Sequence, residues 1–284
     1  MDPDLPESLR EGAFAPRPAA ADKYSVGTVA VIGGCADYPH APVIAALGAR
    51  AAGAGLVRLS VPDASRFAAA VHVPEATFAP PGDGLPRADV RVIGPGLGRS
   101  PAAGALAGRL LAGEPGRWVV DADALFFLAA AAGRRPAAGQ ELVLTPHEGE
   151  AARLLGRTRS EVASDRLAAG REIARRHAAT VVLKGPRTLV VAPGGDPVFE
   201  NPTGNPLMAL GGMGDLLAGV VAARWAYLGG TPFLAVAGAV WLHGLAADRL
   251  AGAGRDPSLA AVAAEIGSLR VRLDASAPTR RDRR

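Results

Sequence analysis

Short aliphatic runs alternate with alanine-rich stretches along the chain from Val26 onward. The aliphatic runs lack the polar alternation of a strand that faces water on one side, so they predict strands buried on both faces. A glycine or proline break follows each run, and the alanine-rich stretches between the breaks predict helices. Buried strands that alternate with helices are typical of a parallel sheet covered on both faces. The pattern therefore predicts one α/β domain with right-handed crossovers.

Five predicted strands precede a predicted hairpin. The strands cover residues 28–32, 56–61, 90–93, 118–121 and 142–144, and the hairpin pairs 180–183 with 188–191. A helix is predicted over about 41–52, and the chain after Asp215 is predicted to be helical to its end.

Two segments without periodicity flank this pattern. Residues 1–24 are rich in proline, alanine and charge, and we predict a disordered or arm-like segment there. Residues 275–284 hold the densest cluster of arginines, and we predict a solvated basic tail. The domain itself is predicted over residues 25–274, because no linker or change in composition divides that stretch.

Composition argues against several classes of function. The net charge is +4, but nearly all of the basic residues are arginines, and Lys23 and Lys184 are the only lysines. This bias is spread along the chain and forms no basic stripe with aromatic residues, so we predict no nucleic-acid partner. The single cysteine, Cys35, excludes an intramolecular disulfide and a multi-cysteine metal site. The chain does not open on a signal peptide, so we expect a cytoplasmic protein.

One uncharged stretch, residues 226–247, resembles a membrane span in composition. Glycines and a proline at residues 229–232 interrupt it and leave a run too short to cross a bilayer. The stretch instead predicts two buried helices joined by a turn, and no membrane partner.

Five turns with unusual chemistry follow the predicted strands. They are GGCADYPHAP (33–42), GPGLG (94–98), DADAL (121–125), TPHEGE (145–150) and KGPRT (184–188). Because ligands of parallel α/β sheets bind beyond the carboxyl ends of the strands, the shared location of these turns predicts a cleft at that edge.

The segment GNPLMALGGMGDLLAG, residues 204–219, has the composition of a phosphate site. Gly211, Gly212 and Gly214 allow backbone amides to approach a phosphate closely. The helix that follows points its positive end at the same place. Asp215 at its start is either an N-terminal cap or a general base for an attacking hydroxyl, as phosphoryl transfer requires. The residues alone leave both interpretations open.

Charged residues in two further turns are candidates for the same cleft. Lys184 follows a strand, and its turn would place backbone groups and Thr188 against phosphate or ribose; a strand-end charge reaching water is the alternative. A helix starting at TPHEGE would turn His147 and Glu150 toward the cleft. His147 would then hydrogen-bond a substrate, and Glu148 or Glu150 would hold a magnesium-bound water, unless both are simply first-turn charges.

Three other polar residues and the GPGLG turn are explained by structural roles alone. Asp121 and Asp123 form a carboxylate pair, one of which we expect to bond loop amides. The GPGLG turn lacks the glycine at the sixth position and the downstream acidic residue of a dinucleotide-binding fingerprint. It therefore indicates only that another group approaches the backbone closely at this turn. His243 lies in an apolar helix, and we expect a core histidine whose hydrogen bonds are satisfied.

These segments, in this order, resemble the ADP-dependent NAD(P)H-hydrate dehydratase family of the ribokinase-like fold. The matching pieces lie in residues 27–62, 92–98, 119–125, 144–156, 181–193, 201–219 and 242–248, and the TPHEGE, LKGPRT and GNPLMALGGMGD combination is specific. The resemblance implies a single three-layer α/β/α domain with a mostly parallel central sheet.

The resemblance also implies an activity, the repair of hydrated NADH or NADPH (NADHX and NADPHX). The hydroxyl of the S-epimer would be phosphorylated from ADP, leaving AMP, and phosphate would then be eliminated to regenerate the cofactor. Asp215 would be the base, with Ala41, Gly96, His147 and Asp215 contacting the hydrate. The nucleotide contacts would be Lys184, Gly185, Pro186, Arg187, Thr188, Asn205, Gly211, Gly212 and Gly214, and Mg²⁺ would be a cofactor, with Glu150 the candidate ligand through water.

Members of this family form homo-oligomers, often tetramers, and the apolar C-terminal helices would suit such assembly. Epimerisation of the R-hydrate belongs to a separate domain; about 26 residues precede the first predicted strand, so we expect a separate epimerase as functional partner. The sequence departs from the family at Met213, which replaces a threonine or serine. Leu207 and Leu210, expected to tighten the nucleotide pocket, and Pro39–His40 are further departures.

Two alternative functions remain open. A ribokinase-like kinase acting on a vitamin precursor, such as hydroxyethylthiazole or a pyrimidine alcohol, would share Asp215 and the anion site but release a stable phosphate ester. A nucleotide-binding module without catalysis would account for Met213 and the two leucines.

Overall fold

A computed structural model describes residues 5–79, 86–131 and 135–277 of the chain. Within these ranges nine strands form one sheet. The strands are β1 (Thr28–Ile32), β2 (Leu56–Ser60), β3 (Thr77–Ala79), β4 (Val90–Ile93), β5 (Gly116–Val120), β6 (Gln140–Leu144), β7 (Thr180–Leu183), β8 (Leu189–Val191) and β9 (Val198–Glu200).

Eleven helices occur in the same described ranges. They are α1 (Glu7–Arg10), α2 (Ala41–Ala51), α3 (Asp63–His72), α4 (Pro101–Gly113), α5 (Ala122–Ala130), α6 (Glu148–Leu155), α7 (Arg159–Ser164), α8 (Arg166–His177), α9 (Met213–Leu228), α10 (Pro232–Gly252) and α11 (Leu259–Ser276). A short 3₁₀ helix, Pro206–Met208, precedes α9.

The strand order is β3-β2-β1-β4-β5-β6-β7-β8-β9. All pairings from β3 to β7 are parallel, and β8 and β9 pair antiparallel. The predicted mostly parallel sheet is therefore confirmed, as is the predicted hairpin of β7 and β8. The sequence missed β3 and β9, which are three-residue strands at the two edges of the sheet and lack the continuous aliphatic run that revealed β8.

Two hydrophobic cores lie on opposite faces of the sheet. One core joins the sheet to α2, α3, α9, α10 and α11, and the other joins it to α4, α5, α6, α7 and α8. Consecutive residues of β4, Val92 and Ile93, enter different cores because side chains alternate along a strand. The predicted three-layer α/β/α domain is confirmed.

Glycines allow α2 and α9 to pack backbone against backbone. A Cβ on Gly48 would lie 2.1 Å from the carbonyl oxygen of Leu216, and one on Gly219 would lie 1.8 Å from that of Ala45. Larger residues would push the two helices apart. This contact fixes the first turn of α9, where the candidate base lies, against α2.

The described part of the N-terminal segment packs on the helical layer. Leu9 and Phe14 are buried, and the Phe14 ring meets Trp241 of α10 edge-on, with centroids 6.0 Å apart. Arg224 of α9 donates to the carbonyl oxygen of Ala13 over 3.2 Å. Residues 278–284 of the predicted basic tail lie outside the described residues, and the domain bounds stay predictions.

The uncharged stretch folds as two helices, as predicted, with α9 ending at Leu228 and α10 beginning at Pro232. Helix α10 is long and apolar enough to cross a membrane by length and composition alone. However, 78% of its apolar window is buried inside the protein, so core packing accounts for its composition. The same packing uses the apolar surface that we expected to support assembly.

Candidate active site

The loops after β1 and β4 meet at the point where the strand order reverses direction. The Gly34 amide donates to the Pro95 carbonyl over 2.9 Å. Gly96 has a φ of +62°, and a Cβ there would lie 2.9 Å from the Cβ of Ala41. The structure thus brings together two residues predicted to contact the hydrate, at the position where open α/β sheets bind ligands.

The loop after β4 also contacts the carboxylate pair after β5. Gly94 has a φ of +122°, and a Cβ there would lie 1.8 Å from the Asp121 carbonyl oxygen. Asp123 accepts a hydrogen bond from the Gly98 amide over 2.9 Å and pairs with Arg99 at 3.0 Å. The prediction that one carboxylate of the pair bonds loop amides is confirmed for Asp123.

The other carboxylate, Asp121, is buried and bound to Lys184. Lys184 Nζ donates to Asp121 Oδ1 over 2.8 Å, and the Thr145 hydroxyl donates to the same oxygen over 2.7 Å. Glu150 Oε2 lies 3.8 Å from Lys184 Nζ. The Lys184 side chain is only 18% exposed, so its charge does not reach into water as the alternative interpretation had it.

Lys184 also lies against the start of α9. A Cβ on Gly214 would be 3.3 Å from Lys184 Nζ. The capping position of α9 is Gly212, with a φ of +88°, so Asp215 is not the cap. A Cβ on Gly211 would meet open space, and the need for glycine therefore falls on Gly212 and Gly214.

Burial shapes the protonation of the carboxylates near Lys184. Burial and, to a smaller extent, the Asp121 charge raise the pKa of Asp215, Lys184 lowers it, and the net value is about 7. Burial likewise raises the pKa of Glu150 to about 7, against the charge of Lys184. Burial alone would lower the pKa of Lys184, but Asp121 and Glu150 outweigh it and raise that pKa. Asp215 therefore has a proton affinity suited to a general base near neutral pH.

His147 and Glu150 cap helix α6. The His147 Nδ1 accepts hydrogen bonds from the amides of Gly149 at 2.9 Å and Glu150 at 3.2 Å, and Glu150 Oε2 accepts from the His147 amide at 2.8 Å. Partial burial and Lys184 lower the pKa of His147. A neutral imidazole that accepts through Nδ1 carries its proton on Nε2, and the side chain is 59% exposed. His147 can therefore donate to a ligand.

No cluster of three or more His, Cys, Asp or Glu side chains suited to a metal ion occurs in the described ranges 5–79, 86–131 and 135–277. A site built from protein ligands alone is thus not found there. Glu150 retains only the indirect role predicted for it.

A cavity of about 540 Å³ lies beside the N-terminus of α9. Its lining includes Lys184, Gly185, Pro186, Arg187, Thr188, Asn205 and Gly214 from the predicted nucleotide set, together with Asn201, Thr203, Gly204, Pro206, Met208, Ala209, Met213, Leu217, Val240, His243 and Gly244. Gly211 and Gly212 are not part of this lining. The structure brings seven of the nine predicted nucleotide contacts to one cavity.

Arg166 binds the backbone carbonyls of the KGPRT turn, a role that no pattern in the sequence indicated. Its guanidinium donates to the carbonyls of Leu183 and Lys184 over 3.1 and 3.2 Å, and to that of Pro186 over 2.5 Å. Glu148 lies 3.5 Å from Arg166 Nε, so it pairs with arginine rather than facing the cleft. An arginine far from the turn in sequence has no local pattern that reveals this contact.

Asp248 holds the opposite wall of the cavity. Its carboxylate accepts from the Gly204 amide over 2.7 Å and from Asn205 Nδ2 over 2.8 Å. Asn205 Oδ1 in turn accepts from the Leu207 amide over 3.1 Å. The Asn205 side chain therefore shapes the wall.

The expectation that His243 is a satisfied core histidine is wrong in one respect. The residue is 5% exposed, as expected of the core, but its Nε2 has no hydrogen-bond partner among the described residues. It also lines the cavity. Helical periodicity predicted the burial, whereas the cavity is formed by loops distant in sequence.

The departures from the family pattern fall at different places. Met213 is buried and lines the cavity as the first residue of α9. Leu207 and Leu210 are 55% and 45% exposed and lie outside the lining, so the expectation that they tighten the pocket is wrong.

A comparison with known families agrees with this arrangement. The profile described as NAD(P)H-hydrate dehydratase, a carbohydrate-kinase-like family, matches residues 29–266. The chain belongs to the NAD(P)H-hydrate dehydratase family.

Individual members of this family support the assignment. The ADP-dependent (S)-NAD(P)H-hydrate dehydratase of Neisseria meningitidis is 41% identical over 242 residues, covering 83% of this chain and 81% of that protein. The bifunctional NAD(P)H-hydrate repair enzyme Nnr of Gloeobacter violaceus is 40% identical over 260 residues, covering 87% of this chain. The chain spans about half (50%) of the length of that bifunctional relative.

A solved structure gives the same fold. The ADP/ATP-dependent NAD(P)H-hydrate dehydratase of Bacillus subtilis, co-crystallized with ATP/Mg²⁺, superposes with a TM-score of 0.81 at 30% identity. The match covers 94% of this chain and 95% of that one. The ribokinase-like fold of this dehydratase family member is thereby established.

Proposed function

We propose that this chain dehydrates the S-epimers of NADHX and NADPHX to NADH and NADPH, using ADP as phosphoryl donor. The observation that carries the proposal is the position of Asp215, whose pKa is raised to about 7. It lies in the first turn of α9, next to the nucleotide cavity lined by Gly214. The names of the Neisseria and Bacillus relatives give the same substrate and cosubstrate.

The proposed reaction has two steps, a phosphoryl transfer that needs a general base and an elimination in which phosphate leaves. Asp215 takes the proton from the C6 hydroxyl of the hydrate, whose oxygen attacks the terminal phosphorus of ADP. The bond between that phosphorus and the bridging oxygen breaks, and AMP leaves. In the second step the C6–O bond breaks and phosphate leaves with its electron pair. The electrons of the C5–H bond then form the C5–C6 double bond, and the C5 proton passes to water. Phosphorylation helps because phosphate leaves far more readily than hydroxide.

Backbone groups stabilise the transferred phosphoryl group. The first turn of α9 has amides without partners in the helix, and its dipole favours negative charge there. A side chain at Gly214 would crowd Lys184, so this turn stays open to the phosphate. Preorganised amides of this kind stabilise charge that develops in a transition state.

The hydrate binds on the other side of Asp215. Ala41 and Gly96 form the close-packed floor where the loops after β1 and β4 meet. His147 Nε2 donates a hydrogen bond toward the hydrate, because Nδ1 is occupied by the amides of α6. Its neutral form at neutral pH avoids adding a second cation beside Lys184.

Magnesium fits this site in one way. Asp121 is already bound to Lys184, whereas Glu150 lies 3.8 Å from that ammonium and offers carboxylate oxygens, which Mg²⁺ prefers as ligands. Glu150 would hold the ion through water, with phosphate oxygens of the nucleotide supplying further ligands. When bound, the ion would neutralise charge on the phosphates. The Bacillus relative was co-crystallized with ATP/Mg²⁺.

The setting of the reaction is also part of the proposal. We infer a cytoplasmic homo-oligomer, a tetramer by resemblance to the family, that works with a separate epimerase supplying the S-hydrate. Exposed apolar side chains near the sheet edge support self-association: Phe67 and Val71 on α3 are 79% and 65% exposed, and Phe78 on β3 is 39% exposed. Light scattering of wild type and Phe67→Asp tests this; an unchanged mass would remove that surface from the account.

The activity is tested by incubating the purified protein with NADHX, ADP and Mg²⁺ and following the absorbance of reduced nicotinamide. We expect restoration of NADH with release of AMP and phosphate, and a parallel assay with ATP ranks the donors. A lasting phosphorylated product without NADH would support the kinase alternative. Nucleotide binding without either product would support the non-catalytic module.

A further inference from the structure

His243 is the polar residue on the α10 side of the nucleotide cavity. It shares one helix face with Val240 and Gly244, which lie three residues before it and one after it, and all three line the cavity. The surrounding lining there is apolar, with Met208, Met213 and Leu217.

One nitrogen of the buried imidazole, Nε2, is unpaired in the described part of the chain. His243 is 5% exposed. Buried polar groups in native proteins are nearly always hydrogen-bonded, and a bound ligand is one way to satisfy an exception that faces a cavity. Burial lowers the pKa of His243 to about 4, so the ring is neutral and offers one donor and one acceptor.

The wall beside the imidazole is fixed in place. The Thr203 hydroxyl donates to the Trp241 carbonyl over 2.9 Å, and a Cβ on Gly244 would lie 2.3 Å from that hydroxyl oxygen. Asp248, one turn further along α10, holds Gly204 and Asn205. These contacts hold the loop of residues 203–205 against α10 beside His243.

The position in the cavity identifies the part of the nucleotide concerned. The phosphates belong at the first turn of α9 and the KGPRT turn, where Gly214 and Lys184 lie. The apolar region around His243 suits a flat aromatic ring, since ligand pockets combine apolar walls with a few placed polar groups. A nucleobase presents both ring acceptors and exocyclic donors to such a group.

We propose that His243 binds the base of the nucleotide, forming a hydrogen bond between its imidazole and the adenine ring of ADP. The assignment rests on the proposed function for the identity of the nucleotide. It adds a base-recognition residue, and it predicts that the energy of this contact depends on the base and not on the phosphates.

The test compares two ligands, ADP and ribose 5-diphosphate, which keeps the ribose and phosphates but lacks the base. Binding of each to wild type and to His243→Leu is measured by calorimetry with Mg²⁺ and without hydrate. We expect His243→Leu to bind ADP about tenfold more weakly, the scale of one neutral hydrogen bond, and ribose 5-diphosphate unchanged. His243→Gln, which keeps a hydrogen-bonding group, should retain more of the ADP affinity.

A matched control is His177→Leu, which removes another buried histidine, on α8, away from the cavity lining. It should leave both affinities unchanged. Wild-type affinity of His243→Leu for ADP, or an equal loss for both ligands, would overturn the assignment, and failure of wild type to bind ADP would overturn it together with the proposed function. If the expected pattern appears but NADHX is not converted, the assignment stands and only the activity is wrong.

Discussion

Lys184 Nζ lies 2.8 Å from the buried carboxylate of Asp121, so its charge is paired inside the protein, and the residue also lines the nucleotide cavity. This pair connects the two halves of the site. Asp121 touches the loop that carries Gly96, and Lys184 touches the first turn of α9 that carries Asp215. The ion pair therefore controls the electrostatic field at the base, and its removal has predictable consequences.

The pH dependence of the reaction should follow Asp215. Its pKa is raised to about 7, and only the deprotonated form accepts a proton from the hydroxyl. We expect kcat/KM to rise with pH through about 7 and to level off above it. A kcat/KM that stays constant between about pH 5 and about pH 8 would argue against a base of this pKa.

Substitution of the two partners should move this profile in opposite directions. The Asp121 charge raises the pKa of Asp215 and Lys184 lowers it. Asp121→Asn should therefore shift the acidic limb to lower pH, and Lys184→Met should shift it to higher pH, measured with saturating ADP. Asp123→Asn is the control, and it should shift the limb in the same direction as Asp121→Asn but by less, because Asp123 raises this pKa less than Asp121 does. Shifts of the same sign for Asp121→Asn and Lys184→Met would refute the electrostatic account.

The partly buried Asp215 carboxylate should lower the unfolding free energy of the protein at pH values where it is ionised. A carboxyl whose pKa is raised on folding stabilises the folded state while protonated, and this contribution is lost as pH rises from 3.8, the ordinary value, to about 7. Asn resembles the protonated form, so Asp215→Asn should raise the unfolding free energy by about 2 kcal/mol at pH 8 and by little at pH 4. Urea titrations at the two pH values measure this. Asp37→Asn, at an exposed position, should change neither value.

Arg166 should affect nucleotide binding without touching the nucleotide. Its guanidinium holds the carbonyls of Leu183, Lys184 and Pro186, and alanine would release the turn that lines the cavity. We expect Arg166→Ala to weaken ADP binding by about tenfold, equivalent to roughly 1.4 kcal/mol. The affinity for the hydrate should change less.

Arg171 provides the matched control for this prediction. It lies on the same helix and also holds a loop, donating to the Gly195 carbonyl over 3.2 Å and to Asp196 over 2.8 Å. That loop does not line the cavity. Arg171→Ala should therefore leave ADP binding unchanged, and equal losses in both variants would indicate a general effect on α8.

The buried pair Arg224–Asp274 should hold the N-terminal segment. Arg224 makes two hydrogen bonds to Asp274, of 2.8 and 3.0 Å, and a third to the Ala13 carbonyl. Arg224→Met should lower the unfolding free energy by about 3 kcal/mol, because the buried Asp274 carboxylate would keep, among the described residues, only the longer contact to Arg270, at 3.5 Å, as an ion pair. The double variant Arg224→Met/Asp274→Leu should recover part of this loss. A single variant as stable as wild type would show that the pair contributes little.

The sequence predicted what depends on local pattern. Buried strands, the break between α9 and α10 and the location of five turns at one sheet edge all follow from hydrophobic periodicity and glycine position. Edge strands of three residues carry too little pattern, so β3 and β9 were missed.

The site was predictable only in part, because local sequence patterns do not show contacts between distant segments. Motif position indicated Asp215 and the residues of the KGPRT turn, which do lie together. Arg166 and Asp248 act through hydrogen bonds to loops distant in sequence, and His243 differs from an ordinary core histidine only because loops enclose a cavity beside it. Such contacts depend on tertiary packing, which no local pattern encodes.

The role of Asp215 as the base is tested by the conversion of NADHX by wild type and Asp215→Asn, with ADP binding measured on the same samples. We expect wild type to restore NADH, and Asp215→Asn to lose this activity while binding ADP with wild-type affinity. Full activity of Asp215→Asn would contradict the assignment of Asp215 as the base.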